Sequence, residues 1–392
     1  MKEVFIVAAK RTPTGGFLGS LSGFSATELG AMAIREAYQS AGIDPAIISS
    51  VYMGNVLSAN LGQSPARQAA KFAGIPNSTD ATTINKVCAS GMKAAMIGAQ
   101  QIQLGLDEIV VAGGMESMSN APHYSLLRKT TKLGHESFID GLLKDGLTDV
   151  YNGLHMGNAA ELCAEKYGFS REAQDEFALE SYAKANNATQ LGKFSSEIFP
   201  VHIPSKKGEN VISEDEDVLK VIPEKVPLLP PAFIENGTIT AANASNLNDG
   251  AAVLILASKE AVEKHNLKPL AKIIGYADAA QAPEWFTTAP SLAIPKALNQ
   301  ANLHLNQIDF FEINEAYAAV ALANQHILGL DKNKVNVYGG AVAIGHPLGA
   351  SGARIICTLI SVLQQENGRY GVAAICNGGG GASALVIEKI KQ

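Results

Sequence analysis

The chain is poor in cysteine and in clustered positive charge, and each shortage excludes a class of protein. Its four cysteines, Cys88, Cys163, Cys357 and Cys376, include no C-x-x-C pair, so neither a zinc ribbon nor a disulfide framework is indicated. With a net charge of -6 and no Lys/Arg-rich tract, the sequence offers no surface for nucleic acid. Residues 1–9 lack the long apolar stretch of a signal peptide or a membrane span. We therefore expect a soluble, cytoplasmic protein with neither a nucleic-acid nor a membrane partner.

The composition is typical of a glycine-rich α/β enzyme. The hydrophobic fraction is 47%, and 37 of the 392 residues are glycine, which argues against a disordered chain. Because single hydrophobic cores stop growing at about 250–300 residues, we expect two or three domains, with enough chain to enclose a catalytic cleft.

An internal repeat predicts two similar halves. Residues 34–51 and residues 294–311 each have the pattern of an amphipathic helix, a turn and a buried strand. A second echo pairs Ser90-Gly91 with Ser351-Gly352, each opening a long apolar helix that a strand follows, at 108–112 and 371–376. Two echoes in the same order predict two β/α units.

The sequence between the halves has a different texture. Residues 118–248 contain polar loops, a predicted helix at 171–191 and a proline-rich stretch at 200–231, whereas residues 251–257 are continuously apolar, as in a central strand. We therefore predict an N-terminal half at 1–117 plus 249–268, an inserted loop domain at 118–248, and a C-terminal half at 269–392.

Cys88 and His346 are candidate reactive groups. Cys88 lies at a predicted strand-to-helix turn, where free N–H groups and the helix dipole favour a thiolate; the alternative is an ordinary buried cysteine. His346 lies in the glycine-rich turn Gly345–Gly352, near the equivalent location of the second half. The symmetry predicts that it faces Cys88, although a lone histidine is more often structural.

Cys376 and Asn314 are the other two candidates. Cys376 ends the predicted strand 371–376 and enters Gly378–Gly381, a run whose bare backbone can approach a ligand and point N–H donors at an oxyanion, or else form a flexible turn. Asn314 follows the apolar strand 308–313, at the strand end where α/β folds usually place their sites.

Together these four segments resemble the thiolase family, over essentially the whole chain from Lys10-Arg11-Thr12-Pro13 to Cys376–Gly380. Within that family, the segment Val87–Ala94 looks like that of the acetyl-CoA acetyltransferases. The resemblance implies a five-layered α/β/α/β/α fold with an inserted loop domain, and homodimers that often pair into tetramers. It implies coenzyme A and acetyl-CoA as substrates, with no tightly bound cofactor and no metal.

The resemblance also implies a mechanism, the reversible Claisen condensation of two acetyl-CoA to acetoacetyl-CoA and CoA through an acetyl-Cys88 thioester, in ping-pong order. Cys88 would be the nucleophile and His346 its base. Cys376 would be the acid/base that exchanges the α-proton. Asn314 would hold a water that, with His346, stabilises the enolate oxygen, and the N–H groups of Cys88 and Gly378 would form a second oxyanion site.

The inserted domain supplies the CoA cradle in the family. The matching residues here are His155, Met156 and Ser245 along the pantetheine arm, and Phe233 in the same binding loop. Lys220 stands where the family often carries an arginine near the adenine or the phosphates, although it could equally be a solvated surface charge.

Four residues depart from the family pattern. Ala242 and Asn246 replace common glycines, and Asn377 replaces a frequent isoleucine. Tyr317 replaces a usual phenylalanine, and its hydroxyl would favour small acyl groups.

Other functions remain open at this point. A degradative 3-ketoacyl-CoA thiolase would use the same four residues with different pocket walls. A decarboxylating condensing enzyme would pair its cysteine with two histidines, whereas this chain offers one motif histidine and a second cysteine. A non-catalytic acyl-CoA or lipid carrier could keep the fold, since fold does not determine function. The cysteines and histidines show no local spacing for a metal.

Overall fold

The computed structural model describes residues 2–128, 133–205 and 208–390. The strands within these ranges are β1 (Val4–Arg11), β2 (Gly15–Gly16), β3 (Ser50–Gly54), β4 (Asp80–Ile84), β5 (Ile109–Ser117), β6 (His123–Tyr124), β7 (Ile139–Asp140), β8 (Val201–Ser205), β9 (Gly208–Ile212), β10 (Asn248–Ser258), β11 (Ala271–Ala280), β12 (Phe310–Ile313), β13 (Tyr370–Asn377) and β14 (Gly381–Lys389). The helices are α1 (Ala26–Ser40), α2 (Pro65–Phe72), α3 (Ser90–Leu104), α4 (Met156–Tyr167), α5 (Arg171–Gln190), α6 (Lys259–Lys264), α7 (Pro290–Gln300), α8 (Ala318–Leu328), α9 (Ala341–Ile344) and α10 (Leu348–Gln365).

The main sheet repeats one strand order in its two halves. Its order is β12-β13-β14-β11-β1-β10-β5-β3-β4, with β2 beside β10. The first half therefore runs β1, β10, β5, β3 from the centre outward, and the second runs β11, β14, β13, β12. The halves join into one continuous sheet because Val4–Ile6 of β1 pair antiparallel with Ala271–Ile273 of β11.

The repeat seen in the sequence corresponds to equivalent elements. Residues 34–51 lie in α1 and β3, and residues 294–311 in α7 and β12; the second echo falls on α3 with β5 and on α10 with β13. The continuously apolar β10 is buried along its whole length, because β1 and β5 flank it and α1 and α10 cover its two faces. The predicted strand 308–313 is shorter than expected, because residues 305–307 form a 3₁₀ turn.

Three apolar clusters separate five layers. The cluster that includes Leu29 and Ile34 lies between α1, α2 and the outer face of the first half-sheet. The central cluster, with Met92 and Ile355, surrounds α3 and α10, which pack on each other between the half-sheets. A third cluster, with Ile294, lies between α7 and the second half-sheet. The α/β architecture predicted from the sequence is confirmed.

The segment between β5 and β10 is built of pieces that pack on this framework. It contains the hairpins β6–β7 and β8–β9 and the helices α4 and α5, which contact α8. The domain limits given above remain a prediction. Within the described ranges no helix is both long and apolar enough to cross a bilayer, and no group of three or more His, Cys, Asp or Glu side chains there could hold a metal ion.

Candidate active site

A cavity of about 340 Å³ brings together most of the residues singled out in the sequence. Its wall is formed by the turn before α3, the turn before α10, the loop after β13 and parts of the inserted segment. The predicted site residues that line it are Cys88, His155, Met156, Phe233, Ser245, His346 and Gly378, joined by Tyr317. These residues are far apart in the chain, so the fold assembles the site.

The turn that presents Cys88 contains a strained residue. Val87 has φ +48°, a left-handed conformation that costs a β-branched residue on the order of 1–3 kcal/mol. The Ser90 hydroxyl stabilises the turn, because it accepts a hydrogen bond from the Lys86 N–H at 2.8 Å and donates one to the Val87 carbonyl at 2.6 Å. The turn thus leaves the Cys88 side chain at the cavity wall.

The Cys88 thiol rests protonated. Its apolar surroundings raise the pKa of Cys88 to about 12, although hydrogen bonds from the backbone N–H groups of Gly378 and of Cys88 itself favour the thiolate. A thiol in this state reacts only when a neighbouring base removes its proton.

His346 can be that base because it is neutral. Burial, with a smaller contribution from the charge of Arg354, lowers the pKa of His346 to about 3. Its Nδ1 lies 2.5 Å from the Ser351 hydroxyl, which also donates to the Pro347 carbonyl at 2.8 Å. With the serine proton on that carbonyl, Nδ1 carries the histidine proton and Nε2 keeps its lone pair. Nε2 lies 3.4 Å from Asn314 Nδ2, a donor.

The depressed pKa of His346 predicts a specific pH dependence of stability. Since the pKa of His346 in the folded protein lies below the ordinary histidine value of about 6.5, the unfolded chain binds the proton first, and the stability present above pH 6.5 is lost as the pH falls. The free energy of unfolding of the wild type should fall by about 1.4 kcal/mol more per pH unit than that of His346→Asn, between about pH 6 and pH 4. Chemical denaturation of both proteins across this range measures the difference.

The control for this prediction is the exposed His135. His135→Asn should keep the wild-type slope, because this substitution leaves the buried His346 imidazole in place. Equal slopes for the wild type and His346→Asn would show that the buried imidazole gains its proton as readily as an exposed one.

Asn314 and Cys376 lie behind the cavity wall. Asn314 directly follows β12, is fully buried, and its Oδ1 has no hydrogen-bond partner within the described part of the chain. Cys376, in β13, packs in an apolar cluster with Met156 and Tyr317, both of which reach the cavity. Burial, and then the charge of Cys88, raise the pKa of Cys376 well above its ordinary value, so this thiol also holds its proton.

The residues expected to bind the pantetheine arm form one aromatic wall. The His155 ring stacks on Phe233 with centroids 4.7 Å apart, and Phe233 meets the Tyr317 ring edge-on at 5.9 Å. The backbone N–H of Gly157 donates to His155 Nδ1 at 3.0 Å. A Cβ at Gly157 would overlap the Phe233 ring, so glycine is needed there for the ring to pack.

Lys220 does not line this cavity. It lines a neighbouring cavity of about 550 Å³, which shares Ala241, Asn246 and Leu247 with the first. Its ammonium group lies 2.8 Å from Glu216 Oε1 and 2.9 Å from Asp217 Oδ1. Its charge is therefore already paired with two carboxylates, and a contact with a phosphate remains a prediction.

The glycines around His346 permit close contacts with the first half. Gly345 has φ +104°, and a Cβ there would overlap the Asn248 carboxamide. A Cβ at Gly349 would lie 2.8 Å from the Met115 carbonyl oxygen and 2.9 Å from Glu116 Oε2. The side chains that receive this turn were not found from the sequence, since they precede it by about 100 residues or more.

Ser90 and Ser351 were noted in the sequence only as part of the repeat. In the fold both hydroxyls support a candidate reactive group from the first turn of the following helix, α3 and α10 respectively. Their equivalent placement in the two halves was a signal that could have identified both.

Comparison with known proteins gives the chain's family. The family described as "Thiolase, N-terminal domain" matches residues 4–260, and "Thiolase, C-terminal domain" matches residues 267–389. Acetyl-CoA acetyltransferase 2 of Arabidopsis thaliana is 57% identical over 99% of this chain and 97% of its own length.

Two solved structures share the fold. The Acat5 thiolase from Ascaris suum, in complex with coenzyme A, has a TM-score of 0.95 and 48% identity, covering 99% of this chain and all of the other. The human mitochondrial 3-ketoacyl-CoA thiolase has a TM-score of 0.96 and 41% identity over 99% of each chain. This chain, in which Cys88 and His346 line one cavity, belongs to the thiolase family.

Proposed function

We propose that this thiolase is an acetyl-CoA acetyltransferase, which condenses two acetyl-CoA reversibly into acetoacetyl-CoA and CoA. The observation that carries the proposal is that the Cys88 thiol shares a cavity with the neutral His346 imidazole and faces the Gly378 N–H. The identity with a named acetyl-CoA acetyltransferase over nearly the full length supports the choice of substrate.

In the first half-reaction His346 Nε2 takes the proton of Cys88, and the thiolate attacks the thioester carbonyl of acetyl-CoA. The N–H groups of Cys88 and Gly378 stabilise the tetrahedral oxyanion. When the carbon–sulfur bond of the substrate breaks, CoA leaves as a thiolate and takes the proton held by Cys376. The products are acetyl-Cys88 and free CoA, with His346 protonated and Cys376 ionised.

The second half-reaction restores the starting protonation states of His346, Cys88 and Cys376. The Cys376 thiolate removes a methyl proton from the second acetyl-CoA. His346, now protonated at Nε2, and a water held by Asn314 stabilise the enolate oxygen. The enolate attacks acetyl-Cys88, and the departing Cys88 thiolate recovers its proton from His346. The Ser351 hydroxyl is placed to assist, because it can accept from Nδ1–H in both half-reactions while it donates to the Pro347 carbonyl.

The proposal includes the cradle for CoA and the surroundings of the enzyme. His155, Met156, Phe233 and Ser245 hold the pantetheine arm, and Lys220 lies beyond them, toward the adenine and phosphates. The enzyme would act in the cytoplasm as a homodimer or homotetramer. Several large apolar side chains of the inserted segment are exposed, among them Leu126, Leu127, Phe138, Val150 and Tyr151, and a subunit contact would remove such side chains from water.

Chain-length kinetics test the proposed substrate. CoA-dependent cleavage of acetoacetyl-CoA should exceed that of 3-ketohexanoyl-CoA and of a long-chain 3-ketoacyl-CoA by at least about tenfold in kcat/KM. The packed rings of Phe233 and Tyr317 form part of the cavity wall, and rejection of an added methylene by such a wall is worth about this much. Equal or faster long-chain cleavage would identify a degradative 3-ketoacyl-CoA thiolase. Tight binding of acyl-CoA without any cleavage would identify a carrier.

A further inference from the structure

The turn that carries His346 belongs to the second half of the fold but is held by the first half. This segment, residues 345–349 and hereafter the His346 turn, contacts the start of β10 and the end of β5. The polar side chains that contact it are Asn248 and Glu116, each fully buried, and Leu348 of the turn packs in an apolar cluster with Val56 and Leu57. Neither Asn248 nor Glu116 lines the Cys88 cavity. The charge of Glu116 also raises the pKa of the Cys88 thiol directly, and Asn248 carries no charge, so the two side chains together separate this effect from an effect through the turn.

Asn248 holds the first part of the turn. Its Oδ1 accepts a hydrogen bond from the His346 backbone N–H at 2.9 Å. Its Nδ2 donates to the Gly15 carbonyl at 3.0 Å and to Asp217 Oδ2 at 2.8 Å. Because these three bonds fix the carboxamide, the position of the His346 backbone is fixed with it.

Glu116 holds the last part of the turn. Its Oε2 accepts from the Gly349 N–H at 2.8 Å and from the Val56 N–H at 3.0 Å. Its Oε1 accepts from Asn55 Nδ2 at 2.7 Å and from the Leu57 N–H at 3.1 Å. A carboxylate at the N-terminal end of α10 is also favoured by the helix dipole.

Burying the Glu116 carboxylate costs more free energy than a purely structural contact between the two halves would require. Burial raises the pKa of Glu116 to about 7, although the N–H donors of Leu57, Gly349 and Val56 lower it, so ionisation at this site opposes desolvation. An apolar contact could join the two halves without that penalty. The Glu116 carboxylate instead accepts from four donors and so fixes their positions relative to one another. One of the four is the Gly349 N–H of the His346 turn.

We propose that Glu116 and Asn248 are positioning residues, which together orient the His346 imidazole toward the Cys88 thiol. The inference rests on the proposed function, in which His346 is the base. The turn contains Gly345 and Gly349, whose backbones have wide conformational freedom. Among the described residues, the hydrogen-bond partners of the ring are Ser351 and Asn314. Without the side chains of Glu116 and Asn248, the distance from His346 Nε2 to the Cys88 thiol would vary.

The expected signature is a loss of kcat without a matching change in KM. Glu116→Gln turns one acceptor oxygen into an NH₂ group that faces N–H donors, and Asn248→Ala deletes the acceptor for His346. Because misplacing a catalytic group by about 1 Å can lower a rate about 10²-fold, each variant should lose about 10- to 100-fold in kcat for acetoacetyl-CoA cleavage. KM should change by less than about threefold, since the cavity wall is untouched.

A second readout does not depend on turnover. The rate at which iodoacetamide alkylates Cys88 reports removal of the thiol proton by His346. At about pH 8 this rate should fall about tenfold or more in both variants. Loss of the Glu116 charge alone would favour the Cys88 thiolate, so a fall in Glu116→Gln reports the position of His346. The site of alkylation is confirmed by peptide mass spectrometry.

Asn324→Ala is the matched control. Asn324 is likewise fully buried and makes three hydrogen bonds to the backbone, with Ser291, Thr287 and Val320, none of which lines the cavity. This variant should lower the melting temperature while kcat and alkylation stay within about twofold of the wild type.

The outcomes separate the two proposals. If Glu116→Gln and Asn248→Ala lower the melting temperature as Asn324→Ala does, but leave kcat and Cys88 alkylation unchanged, the positioning role is wrong and both residues are structural. Should Glu116→Gln fail to fold, Asn248→Ala alone decides. A wild type that cleaves no 3-ketoacyl-CoA would contradict the proposed function instead, and the alkylation rates would still report on the positioning of His346.

Discussion

Replacing Cys88 with alanine should lower the rate of acetoacetyl-CoA cleavage by at least about 10³-fold, because the covalent route is lost with the sulfur atom and no other thiol lines the cavity within the described chain. Affinity for CoA should change little, since the aromatic wall of His155 and Phe233 remains. Steady-state kinetics and calorimetric titration with CoA measure the two effects separately. Mass spectrometry after incubation with acetyl-CoA should detect the acetyl group on the wild type and not on the variant.

Cys357→Ala provides the matched control for this experiment. Cys357 is a buried cysteine of α10 in the central cluster, and it does not line the Cys88 cavity. Its removal should leave acetylation and kcat near the wild-type values, with a modest loss of stability from the small void. Residual cleavage by Cys88→Ala above a hundredth of the wild-type rate would contradict a covalent role for Cys88.

The repeat could be predicted because the spacing of apolar residues within a short segment shows which of its faces is buried. The apolar spacing of residues 34–51 and 294–311 identified α1 with β3 and α7 with β12 before any contact was known. The join between the halves could not be predicted in this way. It depends on the pairing of Val4–Ile6 with Ala271–Ile273, and nothing in either apolar segment specifies its partner across more than 260 residues of chain.

The candidate site was predictable where its chemistry is local. Cys88 and His346 lie in glycine-containing turns before helices, and both line the same cavity. The groups that stabilise those turns were predictable only where they too are close in the sequence. Ser90 and Asn85, which form hydrogen bonds within the turn of the left-handed Val87, are near it in the sequence, whereas Glu116 and Asn248 reach the His346 turn from distant strands.

Lys220 shows how local charge can qualify a family-based assignment. Glu216 and Asp217 precede it by four and three residues, the spacing at which side chains on one helical turn meet. Both carboxylates bind its ammonium group, and Asp217 also accepts from Asn248. A phosphate at Lys220 would have to compete with these two acids, which the spacing in the sequence already indicated.

The second large effect is expected when Cys376 is replaced. The replacement should slow the step at the α-carbon much more than it slows acetyl transfer to and from Cys88. In Cys376→Ala the condensation of acetyl-CoA and the cleavage of acetoacetyl-CoA should both fall by about 10²–10⁴-fold, the usual contribution of a general acid or base. Exchange of labelled CoA into acetyl-CoA requires only acetyl transfer to and from Cys88. It should fall far less, because a thiol of ordinary pKa near 8.5 leaves readily as its anion, whereas a methyl proton next to a thioester is not removed without a base.

Cys163→Ala is the control for this division, because Cys163 is a second buried thiol near Cys376 and its burial likewise raises its pKa. It hydrogen-bonds the Ala319 carbonyl and lies outside the cavity wall, so both rates should stay near those of the wild type. If exchange and condensation instead fell together in Cys376→Ala, the thiol would serve acetyl transfer as much as proton transfer at carbon. If neither fell, Cys376 would be a packing residue of β13, and the base for the second half-reaction would have to be His346.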